Sequence, residues 1–128
     1  MYRKLITSAC VVGLSVLVIN GLANRFYWYT TIFGFDKFVH TLGGMFVVLV
    51  GGAIFLGQTK QLKPRELFVT LALFVFAVGL AWEYYEYLLQ AYFKTVHLAD
   101  IPDSIGDLVF DMIGASIGAY FVILTTKR

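Results

Sequence analysis

Residues 105–125 read IGDLVFDMIGASIGAYFVILT. A run this long and apolar crosses the roughly 30 Å hydrocarbon layer of a bilayer as a helix, yet it carries Asp107 and Asp111. A carboxylate at membrane depth costs roughly 3 kcal/mol even on lenient insertion scales, so such a group faces a cavity, a partner or a bound ion. With Asp103, Gly114 and Gly118, the two aspartates recur every three or four residues and so share one helical face. The acidic stripe runs into small residues of the kind that let transmembrane helices approach. It therefore points into a bundle rather than at lipid.

Three further apolar runs, at about residues 5–23, 38–56 and 67–89, are also long enough to span. With 59% hydrophobic residues, 14% charged residues and a mean hydropathy of +0.79, the chain is too apolar for an ordinary soluble domain. The expected fold is an all-α, four-helix integral membrane bundle forming a single transmembrane domain. Alternating β-barrel strands do not fit these runs. The first run, preceded by Arg3 and Lys4, also has the form of a secretory signal peptide; we read it as the first transmembrane helix. Cys10 is the only cysteine. That excludes an intrachain disulfide and a thiolate zinc site, and leaves Cys10 as buried or lipid-facing filler.

The basic residues set the expected orientation. Arg3 and Lys4 precede the first helix, Lys60, Lys63 and Arg65 occupy the second connection, and Lys127 and Arg128 close the chain. The other connections hold Arg25, Lys37 and Lys94. By the positive-inside rule both termini and the second loop of this multi-pass protein are cytoplasmic. No nucleic-acid surface is expected. The first outer segment, 24–36, is crowded with Phe26, Tyr27, Trp28, Tyr29, Phe33 and Phe35, as suits the headgroup layer.

Helix direction then brings three polar stretches to one level. The second helix begins outside with Asp36 and His40, the third ends outside with Glu83 and Glu86, and the fourth begins outside with Asp107 and Asp111. Asp36 and Asp103 are read as helix caps; Asp111, about two turns in, cannot be one. Four carboxylates with His40 as the only embedded base cannot all stay ionised uncompensated. Hard oxygen ligands with one imidazole suit Mg²⁺, Mn²⁺, Ca²⁺ or Zn²⁺. The expected ligands of such a divalent cation are His40, Glu83, Glu86, Asp107 and Asp111, with His40 alternatively a catalytic general base. The competing explanation is protonated carboxyls bonded to Tyr84, Tyr85, Tyr87 or Asn20. His97, in the outer loop, is unassigned.

Asp36-Lys-Phe-Val-His40, Gly43-Gly44, Trp82-Glu83 with Glu86, and Asp103-Ser-Ile-Gly-Asp107-Leu-Val-Phe-Asp111-Met-Ile-Gly114 together resemble the VanZ-like small membrane proteins. They are more similar still to the YjdF-like family of bacterial inner-membrane proteins. The resemblance spans the second to fourth helices. It implies a bacterial or archaeal envelope protein, VanZ itself being linked to reduced sensitivity to a glycopeptide antibiotic, and it supplies no reaction.

Two main classes of function fit these residues. One is a metal-dependent enzyme, a hydrolase, acting from the outer leaflet on a lipid or lipid-linked envelope molecule. The other is an ion or proton translocator, expected as a homo-oligomer; a structural or accessory subunit pinned by its ion is a third. The enzyme is favoured because the cytoplasmic half offers little polar lining beyond Thr70, Thr125 and Thr126.

Overall fold

The computed structural model of the chain describes residues 2–55, 57, 61–93 and 101–126. In chain order these form α1 (Tyr2–Phe26), the single-turn α2 (Trp28–Thr31), α3 (Phe35–Ile54), α4 (Pro64–Phe93) and α5 (Ile101–Thr126). The four long helices each contain an 18-residue window of mean hydropathy between 1.6 and 2.2 and are able to span a membrane. Their outward faces are aliphatic. Leu17 on α1, for example, is 68% exposed, which suits hydrocarbon and not water. Cys10 is exposed on the same helix.

Three of the helices extend past the apolar runs that announce them, because backbone hydrogen bonding continues into the polar flanks. The exception is the C-terminal end of α3, where Phe55 leaves helical geometry while its N–H still bonds the Gly51 carbonyl. At the start of α4, Pro64 needs no hydrogen-bond partner, and Glu66 accepts from the Lys63 backbone N–H at 2.8 Å. This is half of a capping box. Between α1 and α3 the chain reverses through two left-handed residues, Tyr27 (φ 58°) and Gly34 (φ 71°). The Thr30 and Thr31 hydroxyls secure the turn by donating to the Tyr27 carbonyl, each at 2.9 Å.

Helix α3 is the hub, packing on α1, α4 and above all α5. Its contact with α5 is backbone on backbone. A Cβ at Gly44 would overlap the Asp111 carbonyl, and one at Gly114 would overlap the Thr41 carbonyl. Helix α1 is held more thinly, by Leu5, Ala9 and Ala23 and by the Phe46 ring lying across Gly13. It does not pack along α4.

The bundle has two levels. At one, the start of α1, the end of α3, the start of α4 and the end of α5 bury Leu5, Val48, Leu49, Leu67, Leu71 and Val122 in an aliphatic cluster. At the other lie the buried polar side chains His40, Glu83, Asp107 and Asp111. Lys60, Lys94, His97, Lys127 and Arg128 lie outside the described residues.

Candidate metal centre

Asp111 is closely confined at the polar level. Gly44 lies against its carbonyl, and Gly79 of α4 lies where any Cβ would stand 2.9 Å from Oδ2. These glycines cut a slot that lets a charged side chain sit between three helices. Within the slot Asp111 Oδ1 meets His40 Nδ1 at 3.2 Å. His40 Nε2 faces the other way, 3.6 Å from Asp107 Oδ1 and 3.9 Å from Asp36 Oδ1. A neutral imidazole that donates from Nδ1 to a carboxylate presents its Nε2 lone pair, which is the arrangement that orients metal-bound histidines.

Lys37 corrects the charge balance drawn from sequence, in which His40 is the only embedded base. Helix α3 begins at Phe35 rather than near Phe38, so Lys37 belongs to its first turn and reaches across to α5. Its Nζ donates to Asp107 Oδ1 at 2.5 Å and to Asp103 Oδ1 at 2.6 Å, with Asp36 Oδ2 at 3.6 Å. Gly106 makes room for it, since a Cβ there would stand 3.3 Å from Lys37 Cε. The capping expectation for Asp36 and Asp103 changes for the same reason. Gly34 is the N-cap of α3 and no side-chain cap forms there, while the carboxylate of Asp103 is bound to Lys37.

Among the described residues, two groups of potential ligand atoms, Asp36/His40/Asp107 and His40/Glu83/Glu86, each have their atoms within 4.8 Å of one another. They share the imidazole but differ in compensation. The first already contains a cation, the Lys37 ammonium. The second does not. Glu83 is only 8% exposed, and its buried Oε1 has no hydrogen-bond partner, one of two such oxygens among the described residues, the other being Gln90 Oε1. An unpartnered buried carboxylate oxygen is unfavourable unless a proton, a hydrogen-bond donor or a cation meets it. The tyrosines expected to satisfy it point outward, Tyr84 being 63% exposed with Tyr85 and Tyr87 also exposed. Asn20 instead accepts from the Tyr29 hydroxyl at 2.7 Å. Of the sequence candidates, His40, Glu83 and Glu86 therefore converge on one point. Asp107 is engaged by Lys37, and Asp111 holds His40 from behind, outside both ligand groups.

A family model described as predicted membrane protein, DUF2238, matches residues 3–128. The chain belongs to that family. No curated protein and no solved structure matches it.

In this DUF2238 chain the centre opens into a cavity of about 630 Å³, a size typical of small-molecule sites. Its polar end is lined by Asn20, Tyr29, Asp36, His40, Glu86 and Asp111, and its apolar flank by residues of α1, α3 and α4 such as Leu17, Val47 and Val78. Burial first, then the negative charges of Asp36 and Glu86, push the Tyr29 phenol above its ordinary pKa. Lys37 was open to discovery from sequence through its four-residue spacing to Thr41, whose hydroxyl donates back to the Lys37 carbonyl at 2.9 Å, but only once the helix is known to start before it. Nothing in the spacing separates Asp111 from the other carboxylates.

Proposed function

We propose that this protein is a metal-dependent membrane enzyme, with a divalent cation held by His40, Glu83 and Glu86, that hydrolyses a lipid or lipid-linked envelope substrate from the outer leaflet. The observation that carries the reading is the buried, unpartnered Glu83 Oε1 in a group with His40 and Glu86, the latter two lining a cavity with one polar and one apolar end. A bound divalent ion supplies Lewis acidity toward an ester or phosphate oxygen and acidifies a bound water. Asp111 fixes the His40 ring, and Lys37 is the shared counter-ion of Asp103 and Asp107. The VanZ-like and YjdF-like resemblance is compatible with such an envelope role. Arg3, Lys4, Lys63 and Arg65 all belong to the level opposite the centre, which supports an outward-facing site by the positive-inside rule. The aliphatic cluster at that level counts against a path for ions through one subunit.

Elemental analysis of the purified protein tests the reading. The natural sequence is expected to carry about one divalent ion per chain and Glu83→Gln none. Asp111→Asn, which disturbs only the support of the imidazole, is expected to weaken metal affinity by about 10–100-fold. Metal-free natural protein, or cation flux in vesicles that Glu83→Gln abolishes without any hydrolysis, would overturn the enzyme in favour of a proton-linked or ion-conducting role.

A further inference from the structure

Helix length gives the centre a depth. About twenty helical residues, at roughly 1.5 Å each, match the roughly 30 Å hydrocarbon core, so the core can be measured off from the aliphatic level of the bundle. On α1 the count starts at Leu5, after Lys4, and ends at Asn24; on α4 it starts at Leu67, after Arg65 and Glu66, and ends at Glu86. Counted back from Thr126 on α5 it ends at Asp107, and α3 is itself 20 residues long, with Phe35 at its polar end. The four counts are independent. Each stops on a polar or aromatic residue of the polar level, and together they draw one membrane edge.

The lipid-facing side chains agree with that edge. Every tyrosine and tryptophan of α4 lies between residues 82 and 92, and these five, Trp82, Tyr84, Tyr85, Tyr87 and Tyr92, are 49–80% exposed. Rings with a polar tip gather at the membrane–water interface. Deeper on the same helix the exposed side chains are of the kind of Leu73, Phe76 and Leu80, which have no polar tip.

Glu86 lies on the edge, Glu83 one helical turn inside it, and His40 between one and two turns inside Phe35. The proposed cation site is therefore about 5 Å below the edge, whereas the midplane is roughly 15 Å below it. This is the layer in which the head of a bilayer lipid joins its tail. The polar end of the large cavity, with Asp36, His40 and Glu86, belongs to the same layer, and the flank formed by Leu17, Val47 and Val78 runs deeper.

We infer that the centre works at the head-to-tail junction of the adjoining leaflet, and that its substrate is an amphiphile whose scissile ester or phosphoester is the link between head and tail. Bonds far out in a headgroup lie above the centre, and bonds along a chain lie below it. The substrate assignment rests on the proposed function for its hydrolytic chemistry; the depth does not.

Both tryptophans of the chain, Trp28 and Trp82, belong to the polar level, and they make the depth measurable. Trp82 adjoins Glu83 in sequence and lines the cavity with Glu86. The full chain carrying Trp28→Phe, with Trp82 as its one tryptophan, is reconstituted in vesicles of phosphatidylcholine brominated beside the ester, at mid-chain or near the chain end. Fluorescence quenching is expected to be strongest beside the ester, at least twofold above the chain end. A ruler comes from Phe76→Trp combined with Trp28→Phe and Trp82→Phe. Phe76 is 41% exposed and lies near the midplane by the same count, so the order of quenching is expected to reverse. Equal profiles at the two positions, or Trp82 quenched by aqueous iodide and by no brominated lipid, overturn the inference. The metal-loaded natural protein is then given phosphatidylglycerol bearing an additional ester half-way along one chain. Mass spectrometry is expected to find a head-to-tail link cut and the mid-chain ester intact; cleavage of the mid-chain ester, or of neither, overturns the substrate assignment. Elemental analysis of the same vesicles separates the two readings. Metal-free protein with a shallow Trp82 leaves the depth standing while the enzyme falls; metal-loaded protein with a deep Trp82 does the reverse.

Discussion

Lys37→Met is expected to destabilise the protein by about 3–5 kcal/mol in the absence of divalent ions, because it leaves buried charge without its partner. The ammonium it removes joins α3 to Asp103 and Asp107 of α5 and lies 3.6 Å from Asp36. Asp107 is buried, and among the described residues its other basic neighbour is the His40 imidazole, at 3.6 Å. The second half of the expectation is compositional. With the ammonium gone, Asp36, Asp103 and Asp107 form a second oxygen site, and the bound metal rises from about one to about two ions per chain. Ion binding to the folded state alone then restores stability, by about 2.7 kcal/mol when the ion is at one hundred times its dissociation constant. Denaturant unfolding in detergent with and without Mn²⁺, together with elemental analysis, measures both halves. Unchanged stability and unchanged stoichiometry would mean that Lys37 is not the resident counter-ion.

Valine at Gly44 or Gly114 is expected to cost about 3 kcal/mol or more. At both positions the obstructing atoms are backbone, the carbonyls of Asp111 and Thr41, and no rotamer change relieves the overlap. Separating α3 from α5 also draws Asp111 away from His40, so the same variants are expected to lose their metal. Gly21 is the contrasting position. It lies within α1, and a Cβ added there would have nothing within 4 Å, so Gly21→Ala is expected to stabilise by about 0.5–1 kcal/mol through helix propensity alone. Unfolding midpoints in one detergent compare the three. Similar midpoints for Gly114→Val and the natural sequence would contradict the close α3–α5 approach.

Hydropathy and helical spacing made the four spanning helices legible, and the glycine stripes announced which faces meet. Spacing also brought His40, Glu83, Glu86, Asp107 and Asp111 to one level. What it did not reveal was the division of labour among them. A carboxylate that ligates, one that orients an imidazole and one that neutralises a lysine look alike along a helix. They are told apart only by what faces them from another helix: Gly43, Gly44 and Gly79 around Asp111, Lys37 against Asp107, and no hydrogen-bonding partner at Glu83 Oε1. Lys37 itself was hidden by a boundary. An apolar run defines the part of a helix inside hydrocarbon, whereas α3 starts at Phe35, in the polar flank, and the lysine counted with a loop is a helical residue. The one-turn α2 was likewise invisible, since its four residues, Trp28–Thr31, carry no periodicity and depend on the left-handed Tyr27 for their start.

The aliphatic level of the bundle has an electrical consequence. Moving one elementary charge through a full membrane potential is worth about 2.3 kcal/mol per 100 mV, and that drop concentrates where no water or mobile charge penetrates. Here this is the layer of Leu5, Val48, Leu49, Leu67, Leu71 and Val122. The carboxylates and the cavity that reaches them lie on one side of the layer, so a cation arriving from that side crosses little of the field. Occupancy of the proposed cation site would then follow the ion concentration in the adjoining compartment and be nearly blind to the energised state of the cell.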